Sequence, residues 1–243
     1  VHEGQPNQAE YAYKIAIELD SKLAIAYYDL GSLYWGEPDK AIPVFEQGIR
    51  VDKPGAYESV FAQAKIYILR NKWQSAVEQL RQVIEIKPGD AWVYFFLGVS
   101  LQNLGELEEA EQNFLEALRL NPDHAQANLH LGMLAEGRQD WQAALIYYQR
   151  AGELNANFAA ESHARRGGIY SSLGSLSNAI QEYRSALELM PARQDYVLSL
   201  AKLYYDSGDL ASAQHLCEQI LQVDPKNQVA SDLLASIKSK LNP

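Results

Sequence analysis

The chain has 243 residues, of which 47% are hydrophobic and 21% charged, and its formal net charge is −10. That balance belongs to a folded chain rather than a disordered one. The acidic excess repels nucleic acid, and no basic stripe offsets it. Cys217 is the one cysteine, so no intramolecular disulfide can form, and no apolar run reaches the ~18 residues of a membrane span.

Alanine recurs at Ala9, Ala41, Ala76, Ala110, Ala144, Ala179 and Ala213, at intervals of 32, 35, 34, 34, 35 and 34 residues. Proline follows twelve residues later at Pro88, Pro122, Pro191 and Pro225; Pro54 comes one place late, and Ala156 stands where the proline after Ala144 is due. A period near 34 residues along the whole chain predicts an all-α stack of helical hairpins, each burying its apolar side against its neighbours.

In chain order, Gln5 to Asp20 reads as the second helix of a hairpin whose first helix is missing. Ala9, Tyr13, Ala16, Ile17 and Leu19 then need cover, either from chain upstream or from a second copy, and Val1 in place of Met fits an excised fragment. Full units are expected over 24–56, 57–90, 91–124, 125–159, 160–193 and 194–227, with 1–23 a partial unit. The first is shortened between Tyr34 and Ala41, where Trp35-Gly36-Glu37-Pro38 forces an abrupt turn; one extra residue sits near Pro54.

The third unit shows the logic. Tyr94, Leu97, Gly98 and Leu101 form one buried stripe on its first helix. Gly105 closes the turn, Ala110, Phe114, Ala117, Leu118 and Leu120 face inward from the second helix, and Asn121-Pro122 stops it. The corresponding close-approach sites are Gly31, Ala64, Gly98, Gly132, Gly167 and Ala201. Turn residues are Gly36, Asn71, Gly105, Gln139, Gly174 and Gly208, followed by anchors at Trp73, Leu107, Trp141, Leu176 and Leu210. The fifth unit is the least regular: an extra residue lies near Asn157-Phe158-Ala159, and Arg166 stands where other units place Leu30, Leu97, Leu131 or Leu200. After Asn227, Val229, Leu233, Leu234, Ile237 and Leu241 form the apolar side of a capping helix over 228–243.

Segments such as Tyr94-x-x-Leu97-Gly98, Gly105-Glu106-Leu107-x-x-Ala110 and Asn121-Pro122 resemble tetratricopeptide repeats, as do Trp141-x-x-Ala144 and Gly208-Asp209-Leu210-x-x-Ala213 with Asp224-Pro225. The resemblance covers six repeats, from about Ala24 to Asn227. It implies a right-handed α-solenoid whose first helices line a concave groove that binds a peptide or partner protein. Two family subtypes are absent. Sites matching the clamp that grips a C-terminal carboxylate read Tyr28, Ser32, Ala62, Phe95 and Val99; those matching an asparagine ladder read Asp29, Ala62, Phe96, His130, Arg165 and Ser199.

In that register the expected groove residues are Tyr28, Trp35, Phe61, Lys65, Trp92, Phe95, Phe96, Val99, Leu129, His130, Met133 and Arg165. Trp92 and Trp35 lie outside the anchor position that Trp73 and Trp141 fill, and an aromatic patch on a first helix is a binding surface. Two alternatives stand beside it: Phe95 and its neighbours fill space between first helices, or the patch joins copies of the chain. Glu58, Glu136, Glu161, Asp195 and Lys202 add mixed charge around the patch, which suits a peptide held by apolar side chains and oriented by its charges.

No catalytic or cofactor-binding residues stand out. His2, His124, His130, His163 and His215 lack paired metal spacing, and no Gly-rich phosphate loop is present. The sequence therefore reads as a protein-interaction scaffold and not an enzyme. A recruiting module of a larger enzyme (a glycosyltransferase or membrane-bound ligase), a bacterial envelope assembly factor and a homo-oligomer through the terminal helices remain open. The compartment is open too, with the cytoplasm favoured over the bacterial periplasm.

Overall fold

A computed structural model describes residues 8–53 and 55–241. His2, Gln5 and Pro54 lie outside the described residues. Among the described residues the fold is all-α, with fourteen helices and no strand. The chain divides into two compact units, one ending at Pro122 and one beginning at Asp123.

In the first unit, α1 (Gln8–Leu19) packs on α2 (Ala24–Leu33), which pairs with α3 (Pro38–Val51). Two hairpins follow, α4 (Tyr57–Leu69) with α5 (Trp73–Ile86) and α6 (Ala91–Leu104) with α7 (Leu107–Leu120). None of the residues of α1 is buried. In the second unit, α8 (Ala125–Gly137) pairs with α9 (Trp141–Leu154), α10 (Ala156–Ser172) with α11 (Leu176–Leu189), and α12 (Gln194–Ser207) with α13 (Leu210–Val223). Helix α14 (Gln228–Leu241) closes against α13.

The repeating alanines explain the pairing. Ala41, Ala76 and Ala110 in one unit, and Ala144, Ala179 and Ala213 in the other, are fully buried where the second helix crosses the first. Four residues on, a large side chain lies flat on the facing glycine: a Cβ added at Gly98 would sit 2.6 Å from Phe114, and one at Gly132 would sit 2.7 Å from Tyr148. Where the first helix carries alanine instead, the register places a smaller group opposite: Leu80 for Ala64 and Cys217 for Ala201. The Ala64–Leu80 pair thus keeps about the combined size of a glycine–aromatic pair, while Ala201–Cys217 is smaller.

Turns follow the expected chemistry with one exception. Gly105, Gly174 and Gly208 take positive φ, as do Asn71 at 55° and Gln139 at 61°. Gly36 does not, because Pro38 starts α3 at once and the shortened turn needs no left-handed residue. Helix α10 starts at Ala156, before residue 160 where the fifth unit was expected to open, and runs for 17 residues. The proline due here is replaced by Ala156, and the Asn155 side chain caps the helix by accepting from Asn157 N at 2.9 Å.

Candidate functional site

In the first unit, the first helices α2, α4 and α6 carry apolar residues around most of their circumference, unlike the one-sided second helices. That excess converges on Phe96. Its ring centroid lies 5.0 Å from Trp35, 5.4 Å from Phe95, 5.8 Å from Phe61 and 5.9 Å from Trp92. Such tilted and edge contacts stabilise the cluster beyond the area it buries. Trp92 remains 43% exposed; Trp35, Phe96 and Val99 are half-buried. Phe61 and Phe95 are buried beneath them, Phe95 against Phe114 at 6.0 Å. The sequence expected all of these on the ligand face; they separate into an outer layer and a supporting one.

Lys65 borders this cluster. Its ammonium sits 4.5 Å from the Phe61 ring centroid and donates to Ser32 Oγ at 3.0 Å. Burial lowers its pKa to about 8, with Asp90 and Asp29 acting against the fall. The adjoining recess, about 270 Å³, is walled by Asp29, Tyr57, Glu58 and Asp90 as well as Lys65. Tyr28 is buried, its hydroxyl donating to Asp52 at 2.9 Å, and Tyr57 likewise donates to Asp90. Tyr28 therefore frames the recess through a fixed hydroxyl.

The other expected groove residues belong to the second unit. Leu129 is buried in a cluster with Ala144, Tyr148 and Ile169, and Met133 packs against it. His130 is half-buried; burial, aided by the nearby His124, lowers its pKa to about 4, so it is neutral at ordinary pH. Arg165 lies 3.4 Å from Glu136 and 3.5 Å from Glu161. These three line a recess of about 520 Å³ together with Tyr183, Arg193 and Tyr196. Arg193 grips Asp195 with two hydrogen bonds, 3.0 and 2.9 Å, and stacks 4.7 Å from the Tyr196 centroid. Sequence reasoning missed Arg193, Tyr183 and Tyr196. Arg193 lies in a turn outside the helical register, Tyr183 sits at a packing position of the second helix, and Tyr196 falls between the core and groove stripes of the first.

Among the described residues, no group of three or more His, Cys, Asp or Glu is placed to hold a metal ion, and no helix is long and apolar enough to cross a membrane. Cys217 is fully buried among Ala201, Ala213 and Ile237, and burial raises its thiol pKa.

Tetratricopeptide-repeat family models match residues 97–157 and 172–237, and a third repeat model of the same kind matches 64–105. Together they cover more than half of the chain. The chain belongs to the tetratricopeptide-repeat family. Among curated relatives, DnaJ homolog subfamily C member 3 of Gallus gallus is 23% identical over 222 residues, which is 85% of this chain and 43% of the relative. Protein O-mannosyl-transferase TMTC3 of Homo sapiens is 22% identical over 238 residues, 93% of this chain and 25% of the relative. The chain thus spans less than half the length of these curated relatives. Solved structures share the fold: a chain of the APC/C hetero-tetramer Cut9-Hcn1 at TM-score 0.76 and 20% identity, covering 95% of this chain and 46% of that one. Pseudomonas aeruginosa pilF follows at TM-score 0.72 and 20% identity, covering 89% and 98%. As a tetratricopeptide-repeat protein, the chain is an α-solenoid scaffold of a family that binds protein partners. In its repeats Trp73 and Trp141 occupy the anchor after the turn, which leaves Trp35 and Trp92 without a hairpin-closing role.

Proposed function

We propose that this tetratricopeptide-repeat chain binds an extended segment of a partner protein on the first-helix face of its first unit, with Phe96 at the centre of the contact. The observation that carries the reading is the exposed Trp92 ring seated on a cluster already fixed by Phe95, Phe61 and Trp35. A partner's apolar side chain gains that area without ordering the surface first, since the rings beneath are locked by mutual packing. The acidic recess beside Lys65, with Asp29, Glu58 and Asp90 on its walls, favours basic residues flanking that anchor. Arg165, His130 and Met133 of the second unit stand at the corresponding positions there, while Leu129 is in the core.

The test is affinity capture from source-cell extract with the parent chain and a Trp35→Ala/Trp92→Ala variant, after circular dichroism shows equal helicity. A partner enriched by the parent and reduced about tenfold or more in the variant supports the reading, the loss expected when central aromatic anchors are truncated. Equal capture by both proteins sinks it.

A second reading makes this scaffold the recruiting module of a longer protein. It is favoured by the lengths of the matched relatives, of which the chain spans 43% and 25%. In that case the same two substitutions in the full-length protein raise the KM for a protein substrate and leave turnover of a small surrogate unchanged.

A further inference from the structure

Helix α10 is stripped of side chains at two positions of its groove stripe. Three residues before the close-approach site the other first helices carry Tyr28, Phe61, Phe95, Leu129 and Leu198, where α10 has Ala164. One residue after that site they carry Ser32, Lys65, Val99, Met133 and Lys202, where α10 has Gly168. Ala164 and Gly168 are four apart, so they lie one above the other on the same side of the helix. The backbone does not demand this glycine. Its φ is not positive, and a Cβ there would meet only the Tyr183 hydroxyl, at 3.7 Å, an ordinary contact. Glycine is the poorest helix former apart from proline, so α10 gives up stability here and gains open space. That space is part of the recess of about 520 Å³, which both residues line.

Two tyrosines in its wall have unused hydroxyls. Tyr196 packs against Ala164 and is 8% exposed. Neither Tyr183 Oη nor Tyr196 Oη has a hydrogen-bond partner among the described residues, and neither oxygen is sealed from solvent. The hydroxyls of Tyr28, Tyr57 and Tyr148, by contrast, each donate to a carboxylate. Burial raises the pKa of Tyr196, so its hydroxyl keeps its proton and can both donate and accept. The charged groups around the pair are already matched. Arg165 lies between Glu136 and Glu161, Glu136 also accepts from Tyr148, and Arg193 holds Asp195 with two hydrogen bonds. Three carboxylates against two guanidinium groups leave one net negative charge in the lining, which repels an anion. A cation must compete with Arg165 and Arg193 for the carboxylates they hold.

We propose that this recess is a second binding site, independent of the aromatic face of the first unit, and that it takes the tyrosine side chain of a protein segment. The ring fills the space left by the small residues at 164 and 168, beside Tyr183 and Tyr196, whose own rings meet edge to face at 6.4 Å. Its hydroxyl exchanges hydrogen bonds with theirs. A phenylalanine ring fills the same space but shuts both hydroxyls away from water without a partner, which costs affinity.

The test uses the whole chain with ¹³C-labelled methionine methyl groups. Of the two methionines, Met190 lines the recess and Met133 does not; the Met190 signal is assigned by its loss in Met190→Leu. The probes are the N-acetyl amides of tyrosine, phenylalanine, arginine and glutamate. The tyrosine probe is expected to shift the Met190 signal saturably and to bind about fivefold more tightly than the phenylalanine probe, the contribution of one hydrogen bond. Arginine and glutamate should bind more weakly than either. Tyr183→Phe should bring the tyrosine and phenylalanine probes to within about twofold of each other. Gly168→Leu should abolish the shift by filling the recess, with a urea midpoint no lower than the parent's because leucine favours the helix. A shift that does not saturate overturns the proposal, as does equal or tighter binding of any of the other three probes. An unchanged titration in Gly168→Leu overturns it equally. If Gly168→Leu loses helicity, Tyr183→Phe decides: a preference for tyrosine kept in full rejects the site, and its loss supports it.

Discussion

At Gly98 a single hydrogen decides how close two helices come. An alanine Cβ there would fall 2.6 Å from the Phe114 ring, which is fully buried and cannot swing away. Gly98→Ala is therefore expected to destabilise the chain by about 1–3 kcal/mol, read as a lower urea midpoint at unchanged slope. Phe114→Leu should restore part of that loss in the double variant, because Ala64 faces Leu80 in the same register. Additive single effects would show that the ring and the glycine are not a matched pair. Lys65 is a residue of the opposite kind, polar where the structure is dry. Its folded pKa of about 8 lies below the ordinary 10.5. Between these values the unfolded chain holds a proton that the folded one has released, so stability from this group rises as pH increases through that window. Below about pH 8 both states are charged and the burial cost is fully present. Lys65→Met should raise the urea midpoint at neutral pH and abolish the rise across the window relative to the parent. An identical pH profile in the two proteins would show that Lys65 is solvated.

At the level of the helix, the alternation of close-approach and apolar positions made the hairpins legible, because it reports a contact that every unit must make. Ala144 and Gly132 mark the α8–α9 crossing as plainly as Ala110 and Gly98 mark that of α6–α7. Where a local signal is missing, legibility fails. The start of α10 was displaced because no proline ends the preceding segment, and Asn155 caps the next helix directly. Side-chain layering was harder to see. Phe95 and Phe96 are adjacent in sequence, yet one is buried against Phe114 and the other supports the exposed Trp92. A register rule good to one residue cannot separate positions 100° apart on a helix. Arg166 was visible as an irregularity, but its partner Glu182, which also holds His163, comes from another helix, α11. The i, i+3 spacing puts His163 and Arg166 on one face of α10, but their meeting with Glu182 depends on tertiary packing that no spacing within α10 encodes.

Across the whole chain, helices contact chiefly their neighbours in sequence, so stability is expected to be regional. The tryptophans offer a means of reading it. Trp35, Trp73 and Trp92 lie in the first unit and Trp141 in the second, so a Trp141→Phe background makes fluorescence a reporter of the first unit alone. Gly167→Val introduces a clash in the second unit, where even a Cβ would lie 2.7 Å from Tyr183. In that background it should lower the urea midpoint of helicity and leave the fluorescence midpoint nearly unchanged, so that two probes which coincide in the parent separate. A shift of both together would mean that the chain unfolds as one cooperative block. The distinction bears on binding. A ligand on Phe96 stabilises whatever unfolds together with Phe96. In the regional case, hydrogen exchange slows in α2, α4 and α6 when partner binds and stays unchanged in α10 and α12; in the cooperative case all five slow alike.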